Sequence, residues 1–101
     1  MGRGPTPLGE RFARNLWRSR RRAGLTQGEL AEIVGMHRTA LSALELGGRL
    51  PRVDTILLLA AGTGVSPCVL LAGMQWRPGR YVDGDFYVDP PAPLLLRKVG
   101  C

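Results

Sequence analysis

The stretch from residue 26 to residue 47 constrains the fold of this chain most, because its signals predict two short helices joined by a tight turn. Thr26 can cap the first helix with its side-chain oxygen, and Glu29, three residues later, can reach back to the Thr26 amide. Apolar residues then recur at helical spacing on one face: Leu30, Ile33 and Val34. Gly35 predicts the helix end, since glycine readily adopts the left-handed conformation common there. Helices this short are stable only when they pack on other elements.

A second helix is predicted after this turn, with Leu41 and Leu44 on its buried face. Together the two helices resemble the helix-turn-helix of the phage Cro and repressor family, also called the XRE family. The residues that carry the resemblance are Leu30, Ala31, Val34, Gly35, Met36, Leu41 and Leu44. The resemblance implies an all-α, five-helix domain of the phage-repressor type, in which the second motif helix lies in the DNA major groove.

The resemblance also implies which side chains face the bases. They are His37, Arg38, Thr39, Ser42 and Ala43. Arg38 is the leading candidate for base readout, because its planar fork matches the O6 and N7 acceptors of guanine. Contact with the DNA backbone is the alternative for Arg38. His37 is either a groove or phosphate contact or a plain surface residue, and Ala43 offers only apolar contact, so we expect a sparse polar readout surface.

Four more residues are predicted to contact DNA phosphates: Gln27, Arg49, Arg52 and Arg22. In the resembled family, a glutamine at the start of the first motif helix holds a phosphate, which implies this role for Gln27. An ordinary exposed helix-start residue is the alternative. The loop after the second motif helix crosses the DNA backbone in that family, which implies the roles of Arg49 and Arg52. Arg22 is one of five outward arginines on the first predicted helix, of which at most two or three should approach phosphate.

Arg20 and Glu45 are predicted to be structural residues. The resemblance implies that the arginine on the first helix pairs with the glutamate at the end of the recognition helix. Removing one partner of such a buried pair costs about 3–5 kcal/mol.

The charge of the chain favours an anionic partner. The net charge is +6 over 101 residues, with a pI near 10.7. Residues 1–52 contain ten Arg and four Glu, whereas the basic and acidic residues of 53–101 balance. The excess positive charge therefore lies with the predicted helix-turn-helix.

Several features lead us to expect a cytoplasmic protein that needs no cofactor or metal. The N-terminal residues form no apolar run, and glycines and a proline interrupt the apolar stretch 56–74, so neither a secretory signal nor a membrane span is expected. Cys68 and Cys101 lack metal-ligand spacing and suggest reduced thiols. A disulfide through Cys101, within one chain or between two, is the open alternative.

The domain prediction divides the chain into an arm (1–6), a DNA-binding domain (7–73) and a C-terminal extension (74–101). Helix 1 is expected from Pro7, with Thr6 as its cap, to about Arg22. Helices 4 and 5 are expected at about 53–62 and 67–71. Helix 4 is apolar nearly all round, so a second subunit or the tail of the chain should cover its outer side.

The extension is predicted to contain a β-hairpin at 79–88, followed by a proline-rich and then leucine-rich tail. A two-residue turn at Asp83 and Gly84 would place Tyr81 opposite Phe86 and Gly79 opposite Val88. Such a hairpin should pack on helices 4 and 5 or pair with a second copy, because a lone hairpin is marginal in water. A DNA-gripping wing is a third alternative, weakened by the hairpin's aspartates.

These features predict a sequence-specific double-stranded DNA-binding transcriptional regulator, a repressor that acts as a homodimer through helices 4 and 5 and the extension. Dimerisation is inferred because one recognition helix reads only a few base pairs. The rival prediction is an antitoxin or other protein-binding module that also binds DNA to regulate its own synthesis. We do not expect an enzyme, because the single histidine, His37, has no catalytic partner in any recognisable motif.

Overall fold

The first helix, α1 (Pro7–Arg22), forms the scaffold on which the other elements pack. Thr6 caps it, and its side-chain oxygen accepts a hydrogen bond from the Gly9 amide at 3.0 Å. The computed structural model describes residues 6–79 and 85–89. Within them the remaining elements are α2 (Gln27–Val34), α3 (Arg38–Glu45), α4 (Val53–Thr63), α5 (Pro67–Leu70), β1 (Met74–Arg77) and β2 (Asp85–Val88). The five predicted helices are therefore present, with ends within about one residue of those expected.

The helix-turn-helix consists of α2 and α3. The predicted capping box is formed, since Thr26 Oγ1 accepts from the Glu29 amide at 3.1 Å and Glu29 Oε1 accepts from the Thr26 amide at 2.8 Å. Gly35 ends α2 in the left-handed conformation with φ of 73°, where a side chain would be strained. These local signals confirm the predicted geometry of the motif.

One hydrophobic core joins all five helices. Its largest fully buried side chains are Phe12, Leu16, Leu30, Leu41, Leu59 and Leu70. α1 packs on α3, α4 and α5, while α2 packs on α3 and α4. Both helices of the motif are thus fixed against the rest of the domain through their apolar faces.

Gly9 permits the close approach of α1 to the end of α3. A Cβ atom at this position would lie 2.4 Å from the carbonyl oxygen of Gly47. The sequence places glycine here, where a capping box would have glutamate, because the packing leaves no room for a side chain. The turn after α3 is thereby held directly against the first turn of α1.

The register of the hairpin differs from the prediction. β2 (Asp85–Val88) pairs with β1 (Met74–Arg77), so that Val88 lies opposite Met74 and Phe86 opposite Trp76. The predicted pairings of Gly79 with Val88 and of Tyr81 with Phe86 are therefore wrong; Tyr81 and the predicted Asp83–Gly84 turn lie outside the described residues. Met74 packs against the core, and the rings of Trp76 and Phe86 meet edge to face at 4.9 Å. These two contacts favour the earlier first strand.

The hairpin packs on α1, and side chains of α1 donate hydrogen bonds to the residues just before and just after it. Asn15 donates to the carbonyl oxygens of Leu70 and Ala72 at 2.9 and 3.0 Å, and Arg11 donates to that of Asp89. The hairpin was expected to pack on helices 4 and 5 or to pair with a second copy. Its packing on α1 corrects the first alternative, because α1 provides the hydrogen-bond donors. Apart from Thr6, the predicted arm lies outside the described residues, as does the tail from residue 90 onward.

α4 is buried on one side only. Leu59 and Ala60 lie in the core, whereas Leu57 and Leu58 are 54% and 47% exposed. Thr63 is also buried, and its hydroxyl donates a hydrogen bond to the Leu59 carbonyl at 2.7 Å. The outer side of α4 is therefore an apolar surface that the described residues do not cover.

Two further findings concern the cysteines and the length of the helices. Cys68 is disulfide-bonded, which corrects the expectation of a reduced thiol at this position. Cys101 lies outside the described residues. Within the described ranges, no helix has both the length and the apolar character needed to cross a membrane.

Candidate nucleic-acid interface

The outer side of α3 presents the five residues predicted to face DNA bases. His37, Arg38 and Thr39 are exposed, and Ser42 and Ala43, one turn further on, are half-buried. We call these five residues the readout face. Helical spacing puts Arg38, Thr39, Ser42 and Ala43 on one side of α3, while the side chains of Leu41 and Leu44 lie in the core on the other. His37 precedes them as the N-cap of the helix. The readout face is therefore presented on a helix whose orientation the core fixes.

His37 stands at the N-cap of α3 but makes no capping hydrogen bond with its side chain. Serine or threonine would normally accept from a backbone amide at this position. The first-turn amides of α3 thus donate no hydrogen bond to the His37 side chain. The imidazole stays exposed beside Arg38. Its role in DNA contact stays a prediction.

Arg20 and Glu45 form the predicted ion pair between α1 and α3. Arg20 Nε and Nη2 donate to the two carboxylate oxygens of Glu45 at 2.6 and 2.9 Å, and Arg20 Nη1 donates to the Leu25 carbonyl at 2.8 Å. The two side chains are only 9% and 4% exposed. The hydrogen bond with Glu45 raises the pKa of Arg20 above its ordinary value, against the opposing effect of burial. This bidentate pair fixes α3 to α1.

Gln27 joins the same cluster, a role that the sequence did not reveal. Its side-chain amide donates to Glu45 Oε1 at 3.1 Å, so Glu45 accepts from both Arg20 and Gln27. The cluster therefore orients the half-buried Gln27 side chain at the start of α2. The predicted phosphate contact of Gln27 would begin from this fixed position.

The other predicted phosphate contacts are exposed arginines at the edges of the motif. Arg22 ends α1, and Arg49 and Arg52 lie in the segment between α3 and α4. Arg52 also approaches Asp54 at 3.4 Å, but both side chains are mostly exposed, so the pair contributes about 0–1 kcal/mol at most. Such a weak pair leaves Arg52 able to exchange Asp54 for a phosphate.

Trp17 is a surface feature that the sequence analysis did not single out. It lies about half exposed on α1, and the guanidinium carbon of Arg21 stands 5.3 Å from its ring centre. That distance is within the range of a cation–π interaction. An exposed tryptophan one turn from arginines at helical spacing could have been recognised as an unusual outer position on α1.

The chemistry of this surface is that of binding. In the part of the chain that the structure describes, no three His, Cys, Asp or Glu side chains come together to hold a metal ion. The readout face offers hydrogen-bond donors on a rigid helix, and the surrounding arginines offer positive charge. Fold and surface together define a DNA-binding transcriptional regulator of the helix-turn-helix class.

A family model described as "Helix-turn-helix", HTH_3, matches residues 18–70. This is just over half of the chain, and the chain belongs to this XRE-type family. No curated protein sequence matches it.

Solved structures show the same fold in other regulators. The restriction-modification controller protein C.AhdI from Aeromonas hydrophila is 31% identical with a TM-score of 0.59, over 61% of this chain and 94% of that protein. The hypothetical transcription factor NHTF from Neisseria is 32% identical with a TM-score of 0.61, over 70% and 84% of the two chains. The controller protein C.Esp1396I, as a tetramer in complex with its natural 35 base-pair operator, is 26% identical with a TM-score of 0.59, over 64% and 86%. Family and similar structures are regulators of transcription rather than enzymes.

Proposed function

We propose that this regulator is a repressor that binds double-stranded DNA sequence-specifically as a homodimer. The observation that carries the proposal is the readout face, which a buried core and the Arg20–Glu45 pair hold in a fixed orientation. A helix held in a fixed orientation loses little conformational entropy on binding and is suited to present side chains to bases. As a regulator of transcription, the protein would act in the cytoplasm, at the nucleoid.

In the proposed complex, α3 lies in the major groove. Arg38 donates to guanine, Thr39 and Ser42 form shorter hydrogen bonds, and Ala43 makes apolar contact, with His37 at the edge. Gln27 and the exposed arginines Arg22, Arg49 and Arg52 contact phosphates on the flanks. The phosphate contacts supply most of the affinity, and Arg38 supplies most of the discrimination between sequences.

The homodimer is proposed to form through the apolar α4 face, which consists of Val53, Leu57, Leu58 and Ala61. These residues lie on one side of α4 at helical spacing, and all are exposed. An apolar surface of this kind on a small basic protein favours association with another protein surface. α5 and the C-terminal extension would complete the interface. A symmetric dimer presents two readout faces and doubles the number of bases read.

Repression is proposed as the direction of regulation. A bound dimer that overlaps a promoter blocks transcription by occupancy alone, whereas activation needs an additional favourable contact with the transcription machinery.

The C.Esp1396I tetramer, which is similar in structure, occupies a 35 base-pair operator. This length supports the proposal that several readout faces act together.

The experiment that tests the proposal is selection of bound sequences from a random duplex library. The wild type and Leu58→Asp are selected side by side, and sedimentation gives the mass of each. We expect the wild type to enrich a motif with two-fold symmetry and Leu58→Asp to be a monomer that enriches at most a half-site. Failure of the wild type to enrich any motif would refute sequence-specific binding. A dimeric Leu58→Asp would refute the proposed interface.

A protein-binding module, such as an antitoxin that regulates its own synthesis, is the second candidate. The observation that favours it is the exposed aromatic pair Trp76 and Phe86 on the hairpin, since aromatic residues are enriched in protein interfaces. Co-purification with the products of adjacent genes tests it. A stoichiometric complex lost in Trp76→Ala and retained in Leu58→Asp would support this function over the plain repressor.

A further inference from the structure

Cys68, on α5, forms a disulfide bond. The chain contains two cysteines, so a bond within one chain can join Cys68 only to Cys101, the last residue. Disulfides are rare in the cytoplasm, where the proposed regulator acts, and those that form there are mostly transient and redox-sensing. The bond therefore fits a reversible switch better than a permanent structural link.

The chain that follows the hairpin is long enough to reach Cys68 over a neighbouring surface. The Asp89 amide donates to the Gly73 carbonyl oxygen at 2.7 Å, so the end of β2 lies beside the residues that follow α5. Gly73 comes five residues after Cys68, which separates the two by at most about 18 Å. The segment 90–101, outside the described residues, can span up to about 40 Å. It therefore has length to spare for a path over α4.

The surface near Cys68 is apolar, and the described residues do not cover it. α5 packs on α4, and Val69 and Leu71 beside Cys68 are 37% and 43% exposed. The apolar α4 face lies on the preceding helix, and Asp54 is the only charged residue of 53–73. Two helices in contact thus expose apolar side chains close to the point where the disulfide holds the chain.

The segment 90–101 has a composition that suits this surface. Its large apolar residues are Leu94, Leu95, Leu96 and Val99. The three leucines precede the C-terminal cysteine by five to seven residues, so they can lie up to about 25 Å from the disulfide, whereas the apolar α4 face is only about 12 Å long. Arg97 and Lys98 would meet no basic side chain from 53–73 there, while residues 1–52 carry ten arginines. Charge therefore favours α4 and α5 over the rest of the domain as the place for this segment.

We propose that the segment 90–101 docks on the apolar α4 face and on α5 when Cys68 is bonded to Cys101. The docked leucines remove the exposed side chains of α4 from water. They also occupy the surface proposed for the homodimer, so the oxidised protein is a monomer and the reduced protein a dimer. The docking stands independently, but its effect on the dimer and on operator binding rests on the proposed function. Once the bond opens, the effective concentration of the segment at the face falls, and a second copy takes its place.

The switch is a thiol–disulfide exchange with a small disulfide such as oxidised glutathione. One cysteine thiolate attacks a sulfur of this disulfide and releases one thiol, and the other cysteine then displaces the second. Both cysteine thiols lose their protons, and the two released thiolates take up protons. Two protein thiols are thus oxidised while one small disulfide is reduced to two thiols.

Trypsin tests the docking, because Arg97 and Lys98 are its cleavage sites within the segment. The wild type and Leu95→Asp are oxidised with oxidised glutathione, and mass spectrometry follows cleavage after these two residues. We expect cleavage to be at least about tenfold slower in the oxidised wild type, because protease reaches only the undocked segment. The matched control Ala92→Asp adds the same charge outside the leucine run and should be cleaved as slowly as the wild type.

Sedimentation tests the competition with the homodimer. Oxidation should raise the dissociation constant of the wild-type dimer at least about tenfold, because the tethered segment competes at a millimolar effective concentration. Cys101→Ser cannot form the bond and should stay dimeric with or without oxidant. Oxidised Leu95→Asp should also stay dimeric, because its disulfide forms without covering the face.

The outcomes separate this inference from the proposed function. Equal cleavage rates in the oxidised wild type and Leu95→Asp would overturn the docking, as would a disulfide that joins two copies. A dimeric oxidised wild type would overturn the competition and leave the proposed regulator intact. A protected segment in a wild type that is monomeric in both redox states would support the docking and refute the proposed homodimer.

Discussion

The inner and outer sides of the α1–α3 pair use the same residue type in opposite ways. On the inner side, Arg20 is buried and donates to Glu45 and to the Leu25 carbonyl. On the outer side, Arg38 is exposed at the first turn of α3, and Arg14 is exposed on α1. Burial and the nearby acceptors therefore decide whether an arginine of these two helices stabilises the fold or remains available to contact DNA. Substitutions should therefore separate stability from DNA binding.

Arg20→Ala should have the largest effect on stability. It would leave the Glu45 carboxylate, 4% exposed, without its bidentate partner. We expect a loss of about 3–5 kcal/mol in the free energy of unfolding, measured by urea denaturation followed by circular dichroism. The matched control Arg22→Ala removes an exposed arginine from the same helix and should change stability by less than about 0.5 kcal/mol. Equal midpoints for the two variants would show that Arg20 is not a structural residue.

Asn15→Ala should have the next largest effect, because it removes the donor that serves the carbonyl oxygens of Leu70 and Ala72. We expect a loss of about 1–3 kcal/mol. The near-ultraviolet circular dichroism of Trp76, recorded in the Trp17→Phe background, should weaken as well. The reason is that the segment that leads into the hairpin loses its hydrogen bonds to α1. A stable variant with an unchanged Trp76 signal would mean that the hairpin is held by other contacts.

Gly9→Ala should have a smaller effect, because a clash opposes a gain. The added Cβ atom would approach the Gly47 carbonyl oxygen to 2.4 Å, at a cost of roughly 1–3 kcal/mol, while alanine favours the helix by roughly 0.5–1 kcal/mol. We expect a net loss of about 1–2 kcal/mol in thermal or urea denaturation. Gly28→Ala is the matched control, since a Cβ there meets only Thr26 Oγ1 at 3.9 Å and stability should be unchanged or slightly raised. A stabilised Gly9→Ala would contradict the close packing of α1 on the turn after α3.

The helix-turn-helix was predictable because its signals are local. The capping box of Thr26 and Glu29 and the left-handed Gly35 depend on residues within a few positions of one another, and the structure contains both. The Arg20–Glu45 pair joins residues 25 positions apart, and only the resemblance to a known family indicated it. The role of Gln27 in the same cluster was not foreseen, because it depends on how α2 and α3 meet.

The hairpin shows where local signals mislead. The Asp83–Gly84 dipeptide favoured a tight turn and a first strand just before it. Burial of Met74 against the core and the contact of Trp76 with Phe86 favour the earlier strand instead. Both contacts depend on tertiary packing, which the turn preference of a dipeptide cannot predict.

The central claim is that the exposed Arg38 reads bases while the arginines around it contact the DNA backbone. The most direct measurement is the ratio of affinities for the selected operator and for random duplex at one salt concentration, in the wild type, Arg38→Ala and Arg49→Ala. The account predicts that Arg38→Ala lowers this ratio roughly 5- to 150-fold with unchanged stability, which corresponds to about 1–3 kcal/mol of discrimination. Arg49→Ala should weaken both affinities and leave the ratio unchanged. Equal losses on both DNAs in Arg38→Ala would contradict the account.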